Sequence, residues 1–323
     1  MLNGLESGLI DGHTHLGVDL LFYLRGHSPY AQSWNTLTAQ GEAVGIQHFV
    51  VFPMVSHLGL HLRSLQKGQI SGKGGLDKIP YAFENRRLLQ EITRFRASNS
   101  ARAIPLGMFD PNRHLPAQIE SLQLLHEKFS LSGLKTQPTI IQSPILNLIT
   151  RRGGRLLDLA ETHAWPILIH SSVHPQDPWS QVRDILTVVK SRPSLRFCLA
   201  HSCRFDRPGL DEIATLPNAW FDCSAHRIHC QLAREDHPSV APKKTRFPSD
   251  YRDPTQVLHD LASAYGPKMI WGTDAPFESY ADDSLQLLSS YREEVQVLAG
   301  IPAALQRTIA HDNTIAFYGK PPV

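Results

Sequence analysis

The sequence predicts an α/β fold, a single (β/α)8 TIM barrel, on three observations. Eight short apolar runs, many of them β-branched, recur at 8–11, 48–52, 103–109, 131–135, 166–170, 195–200, 219–222 and 268–272. Continuous runs of this kind suit strands buried on both faces of a parallel sheet. Stretches of helical period lie between them, and this repeated alternation argues for parallel βα units. No glycine-rich phosphate loop follows the first run, which disfavours an open dinucleotide-binding sheet.

The helices are expected in order behind their strands. The first two are at 33–44 and 85–96. The third, at 115–129, places Leu122, Leu125 and Phe129 at helical spacing. The stretch 154–162 precedes the fifth strand, and 179–189, 208–216 and 254–265 fill the next three intervals. Helices at 284–298 and 302–317 close the chain. Nothing in the composition breaks, so 1–323 reads as one domain. Two long inserts stand out, after strands two and seven. The first, 53–83, contains the glycine-rich Ser71-Gly-Lys-Gly-Gly75. The second, 223–253, is basic, with Arg227, Arg234, Lys243, Lys244 and Arg246 among its residues. A barrel delivers both to its C-terminal face, where binding loops gather.

Composition narrows the function classes. Hydrophobic residues make up 41% and charged residues 19%, an ordinary globular balance. The formal net charge of +2 gives no electrostatic case for nucleic acid or a membrane surface. No run reaches the roughly 18 apolar residues of a membrane helix. The N-terminal segment has neither a basic start nor a long apolar run, so no secretory signal is expected. Four cysteines without CxxC spacing read as reduced thiols of a cytoplasmic protein, with a thiolate role for Cys203 as the alternative. The expected partner is a small-molecule substrate, and a homodimer stays open.

The chemistry sits where apolar runs stop. His13 and His15, in Leu9-Ile-Asp-Gly-His-Thr-His15, are two apart at a strand end and point the same way. His170 ends Pro166-Ile-Leu-Ile-His170, His201 ends the sixth run, and Asp274 follows Trp271-Gly-Thr. In a closed barrel these strand ends share one mouth, which brings imidazoles and a carboxylate within reach of one cation. That is the donor set of zinc, manganese or iron. Other histidines carry less. His57 and His61 have zincin spacing, but Leu58 stands where that motif needs glutamate. His226 and His229 lie in the basic insert, facing either substrate or solvent.

With these motifs in place, the chain resembles the amidohydrolase superfamily. The likeness is strongest to the amidohydrolase-related branch of aminocarboxymuconate-semialdehyde decarboxylase, resorcylate decarboxylases and pyrone-dicarboxylate lactonases. It rests on Asp11-Gly-His-Thr-His15, Pro166-Ile-Leu-Ile-His170, Leu199-Ala-His-Ser202 and Trp271-Gly-Thr-Asp274, with Phe221-Asp-Cys-Ser224 and His311-Asp-Asn-Thr314 alongside. The resemblance implies His13, His15, His170 and Asp274 as metal ligands. It implies Asp274 as the handler of the water proton and His201 as the group that orients that water or polarises substrate. Lys135, at the end of strand four, is read as an ammonium facing substrate beside one ion, rather than a carbamylated bridge between two. Arg25 and Arg227 are candidate clamps for a substrate carboxylate. The expected function is metal-dependent hydrolysis of an ester, lactone or amide, with zinc first among the ions. Non-oxidative decarboxylation of an aromatic or unsaturated acid is the alternative, and a metal-retaining binding protein is the third reading.

Overall fold

The computed structural model describes residues 4–56, 79–95 and 102–319. Most of the first insert, with His57, His61 and the glycine-rich segment, lies outside the described residues. The main sheet has nine strands, of which the short Ala31–Gln32 runs antiparallel on the edge. The other eight are β1 (Ile10–Val18), β2 (His48–Pro53), β3 (Arg102–Met108), β4 (Gly133–Thr136), β5 (Ile167–Ile169), β6 (Phe197–Leu199), β7 (Ala219–Asp222) and β8 (Met269–Ile270). Each pairs in parallel with the next.

The segment after β8 closes the barrel against β1. Gly12 N donates to Trp271 O (3.0 Å), Asp274 N to His13 O (2.9 Å) and His15 N to Ala275 O (2.7 Å). The approach requires glycine on both sides. A Cβ at Gly12 would sit 2.6 Å from Trp271 O, and one at Gly272 would sit 2.7 Å from His13 N. The β1–β2 register shifts by one residue between Asp11 and Thr14, a bulge just where the histidines begin.

Strand alternation sorts the apolar side chains into two layers. Phe49, Val51, Ile167, Ile169, Phe197 and Leu199 face outward into the helix–barrel layer. Val50, Phe52, Leu168, Cys198 and Ile270 face inward and fill the barrel. Burying each such side chain is worth about 1.5–3 kcal/mol, so both layers hold the strand ends in place. The longer helices are α1 (Trp34–Glu42), α2 (Ala82–Phe95), α3 (Leu115–Phe129), α4 (Gly154–Thr162), α5 (Val182–Ser191), α6 (Arg207–Thr215), α7 (His226–Arg234), α8 (Pro254–Tyr265) and α9 (Tyr291–Ala299). Ser33, Asp206, Asp253 and Ser290 cap α1, α6, α8 and α9 by accepting from first-turn N–H groups. No helix among the described residues is long and apolar enough to cross a membrane.

Three elements differ from expectation. The helix expected at 284–298 begins only at Tyr291, because Gln286–Leu287 pairs antiparallel with Tyr280–Ala281. The closing helix is interrupted by a π-helical turn, Thr308–Asp312. That turn lets Ile309 O accept from Trp271 N at 2.8 Å, and Asn313 Nδ2 then donates to Met269 O at 2.7 Å, tying the turn to β8. The basic insert after β7 is not irregular throughout; it starts with α7.

Candidate metal centre

β1 runs past the bulge, so His13 and His15 sit within it, both buried. His15 Nδ1 lies 3.0 Å from Pro53 O, and His13 Nδ1 lies 2.8 Å from Asp222 Oδ2. A carbonyl and a carboxylate only accept, so both rings donate from Nδ1 and turn Nε2 inward. Asp274, which follows β8 with φ +67°, faces them. Its Oδ1 is 3.1 Å from His13 Nε2 and 3.2 Å from His15 Nε2. The donor atoms of the three residues lie within 4.8 Å of one another. His13 Nε2 has no hydrogen-bond partner among the described residues. Burial works against charge on Asp274, but His13 and His15 outweigh it and hold the carboxyl well below the usual carboxylate range. A group of two imidazoles and an ionised carboxylate, with both Nε2 atoms turned to one carboxylate oxygen, fits a divalent cation.

His170 and His201 adjoin this group without joining it. His201 Nε2 is 3.0 Å from His170 Nδ1, and Arg204 Nη2 donates to His170 Nε2 at 2.9 Å. Both ring nitrogens of His170 are therefore engaged, and it stands outside the group of His13, His15 and Asp274. His201 Nδ1 lies 2.9 Å from Ser224 Oγ and 4.0 Å from Asp274 Oδ2. Burial, with Arg204 adding to it, pushes both imidazoles well below their ordinary pKa, so both are neutral.

The backbone that presents Arg204 is unusual. His201, Ser202, Cys203, Arg204 and Phe205 all have positive φ, between +49° and +63°. Each left-handed residue costs roughly 1–2 kcal/mol, so tertiary contacts must hold the turn. His201 N donates to Asp222 Oδ1 (3.0 Å) and Arg204 Nε to Ser171 O (2.8 Å). Ala241 N donates to Arg204 O and Phe247 N to Phe205 O, both at 2.9 Å. The turn aims His201 and Arg204 into the same cavity. Arg204 also donates from Nη1 to His229. No carboxylate among the described residues forms an ion pair with it. Cys203, on the same turn, is fully buried, and burial pushes its thiol well up, so it is not a thiolate.

The cavity has a volume of about 370 Å³. Its polar end holds His13, His15, Asp274, Lys135, His201 and Arg204; its apolar wall includes Phe22, Val55, Ile140, Phe277 and Leu287. Lys135 Nζ is buried without a hydrogen-bond partner among the described residues, 5.1 Å from the centre of the Phe52 ring. Burial lowers its pKa to about 8. Arg25 and His229 line the cavity. Arg227 is not brought there: its guanidinium pairs with Glu293 and its N–H donates to Glu294 Oε1 at 3.2 Å. His226 lies 2.9 Å from Pro254 O, away from both substrate space and solvent.

Sequence reasoning missed two groups. Asp222 ends an apolar strand just as His170 does, so the strand-end criterion could have found it. Arg204 had no such signal, because only the left-handed turn makes it a neighbour of His170.

Residues 142–320, more than half of the 323, match a family model described as amidohydrolase. That span contains His170, His201, Asp222 and Asp274 and leaves out β1 and Lys135. No curated protein matches the chain. Among solved structures, a candidate 2-pyrone-4,6-dicarboxylic acid hydrolase from Pseudomonas putida aligns with a TM-score of 0.59 at 19% identity, covering 98% of each chain. Dihydroorotase from Campylobacter jejuni gives 0.57 at 15% identity, over 98% of this chain and 84% of its own. 4-Oxalomesaconate hydratase from Rhodopseudomonas palustris gives 0.53 at 15% identity, over 96% and 95%. At these identities the structural likeness carries the fold.

Proposed function

The chain belongs to the amidohydrolase family, and from that premise we propose that it is a metal-dependent hydrolase of a small carboxylated ester, lactone or amide. One observation carries the reading: the His13, His15 and Asp274 donor atoms converge within 4.8 Å, and the His13 atom among them has no other partner among the described residues. The proposed occupant is a single zinc ion, with manganese and iron accepted by the same ligand types. Such a cation supplies an acidified water and a polarised substrate carbonyl near neutral pH.

The chain's own groups do the rest. Asp274 stays ionised, and its Oδ2, facing His201, is placed to accept a proton from the attacking water. His201 Nδ1 lies 4.0 Å from that oxygen, with His170 behind it at 3.0 Å. Lys135, Arg25 and Arg204 outnumber Asp274 among the formal charges lining the cavity, so an anionic substrate balances it. Arg204, which like Arg25 lines the cavity and has no carboxylate in an ion pair among the described residues, takes the clamping role expected of Arg227. The wall of Phe22, Val55, Ile140 and Phe277 suits a ring or short chain and excludes water.

Turnover of a panel of carboxylated aryl esters, lactones and amides in ¹⁸O-labelled water tests this. The expected result is one solvent oxygen in the product, with activity lost to chelators and restored by zinc. Release of CO₂ with solvent hydrogen on the product carbon would replace hydrolase by decarboxylase. Stoichiometric zinc without turnover of esters, lactones, amides or acids would replace both by a binding protein.

A further inference from the structure

Asp222 is fully buried and accepts four hydrogen bonds. His13 Nδ1 donates to Oδ2 at 2.8 Å. Its Oδ1 takes His201 N (3.0 Å), Ser224 N (3.0 Å) and Ser224 Oγ (2.6 Å). Having given its proton to Asp222, the Ser224 hydroxyl accepts from His201 Nδ1 at 2.9 Å. His201 Nε2 is then bare and accepts from His170 Nδ1 at 3.0 Å, so His170 Nε2 accepts from Arg204 Nη2 at 2.9 Å. The chain can be followed from either end with the same answer. A carboxylate only accepts and a guanidinium only donates, so each proton between them has one place.

We infer that Asp222 is a positioning residue that holds a proton of His13 on Nδ1, so that Nε2 faces Asp274 and the cavity, and that through Ser224 it holds the His201 proton on Nδ1. A carboxylate behind a ligating imidazole fixes its tautomer and raises its basicity. The inference rests on the metal reading only for what His13 Nε2 would hold. Asparagine at 222 makes the claim sharp. Three donors converge on Oδ1, so the amide oxygen stays there and the NH₂ group turns to His13. His13 Nδ1 must then accept, and its proton moves to Nε2, from which it must be displaced before a cation binds.

The test is the ¹⁵N spectrum of the imidazoles in the metal-free full-length chain, in mildly alkaline buffer, with His13 assigned by its loss in His13→Gln. Wild type is expected to carry the His13 proton on Nδ1, and Asp222→Asn on Nε2. Ser224→Ala is expected to leave His13 unchanged, since its bond to Asp222 survives. Zinc affinity, read by chelator competition, should fall about 10- to 100-fold in Asp222→Asn. A wild-type proton on Nε2 overturns the inference, even if Asp222→Asn does not fold. An unchanged His13 tautomer in a folded Asp222→Asn also overturns it. Because the tautomer is read without metal, failure of the wild-type chain to bind zinc or turn over substrate counts against the metal reading and not against this one.

Discussion

Arg204 Nη2 donates to His170 Nε2 across 2.9 Å. The contact changes what both residues are available for. A histidine at the end of β5, where the sequence reading expects a ligand, is capped by a cation. The arginine has imidazole and carbonyl partners but no ion-paired acid among the described residues. The cavity therefore has a fixed positive charge beside the proposed metal ligands.

The first prediction concerns that charge. Benzoate, a ring-bearing carboxylate, is expected to bind the wild-type cavity. Arg204→Met should weaken it about 10- to 100-fold, the loss of a charge-assisted hydrogen bond worth roughly 1.5–3 kcal/mol. Isothermal titration reads the change. An unaltered Kd would remove Arg204 from substrate binding.

Metal content supplies the second. Elemental analysis of the purified chain should find about one ion per molecule, and almost none in His13→Gln or His15→Gln. Asp274→Asn should lower kcat on the order of 10²–10⁴-fold, the usual contribution of a positioned proton acceptor. Full metal loading in His13→Gln would place the ion elsewhere.

The barrel seam yields the third. A Cβ at Gly272 would lie 2.7 Å from both Cβ and N of His13. Gly272→Ala must push β1 away from the segment after β8, at a cost of about 1–3 kcal/mol. Denaturant unfolding measures that cost, and zinc affinity should fall with it because His13 and Asp274 sit on opposite sides of the seam. Unchanged stability would mean that the seam is looser than its hydrogen bonds imply.

A fourth prediction comes from a buried carboxyl outside the site. Burial raises Glu294 to about 8, against smaller lowering contributions from Ser289 and the Arg227 N–H. The folded chain thus keeps this proton while the unfolded chain releases it from about 4.5, its ordinary value. The stability it contributes is complete below pH 4.5 and is lost as pH rises through about 8. The slope is about 1.4 kcal/mol per pH unit in that window. Glu294→Gln should flatten unfolding free energy between pH 5 and 8 and gain most over wild type at pH 8. Parallel curves for the two proteins would show that Glu294 is ionised in the fold.

Much of the molecule could be read locally. Seven of the eight parallel strands lie largely on apolar runs, because a strand buried on both faces is mostly apolar, and β1 starts on one and runs on through the histidines. His13, His15, His201 and Asp274 were found by one rule, that a polar group ending a buried strand points into the barrel mouth. The same rule also named His170, and it could not foresee that Arg204 would occupy that ring. Arg227 failed for a related reason: a basic loop shows its charges but not its partners, and Glu293 lies 66 positions further on.

The sequence by itself determined the order of strands and helices, the family likeness and which strand-end side chains reach the mouth, because these follow from residue periodicity and strand ends. The tertiary structure alone decided which of those side chains keep a free lone pair. That depends on hydrogen bonds between residues 21 to 209 positions apart, such as His201 N to Asp222 and His13 to Asp222. It depends equally on a five-residue left-handed turn that local preference opposes and only the surrounding contacts can hold.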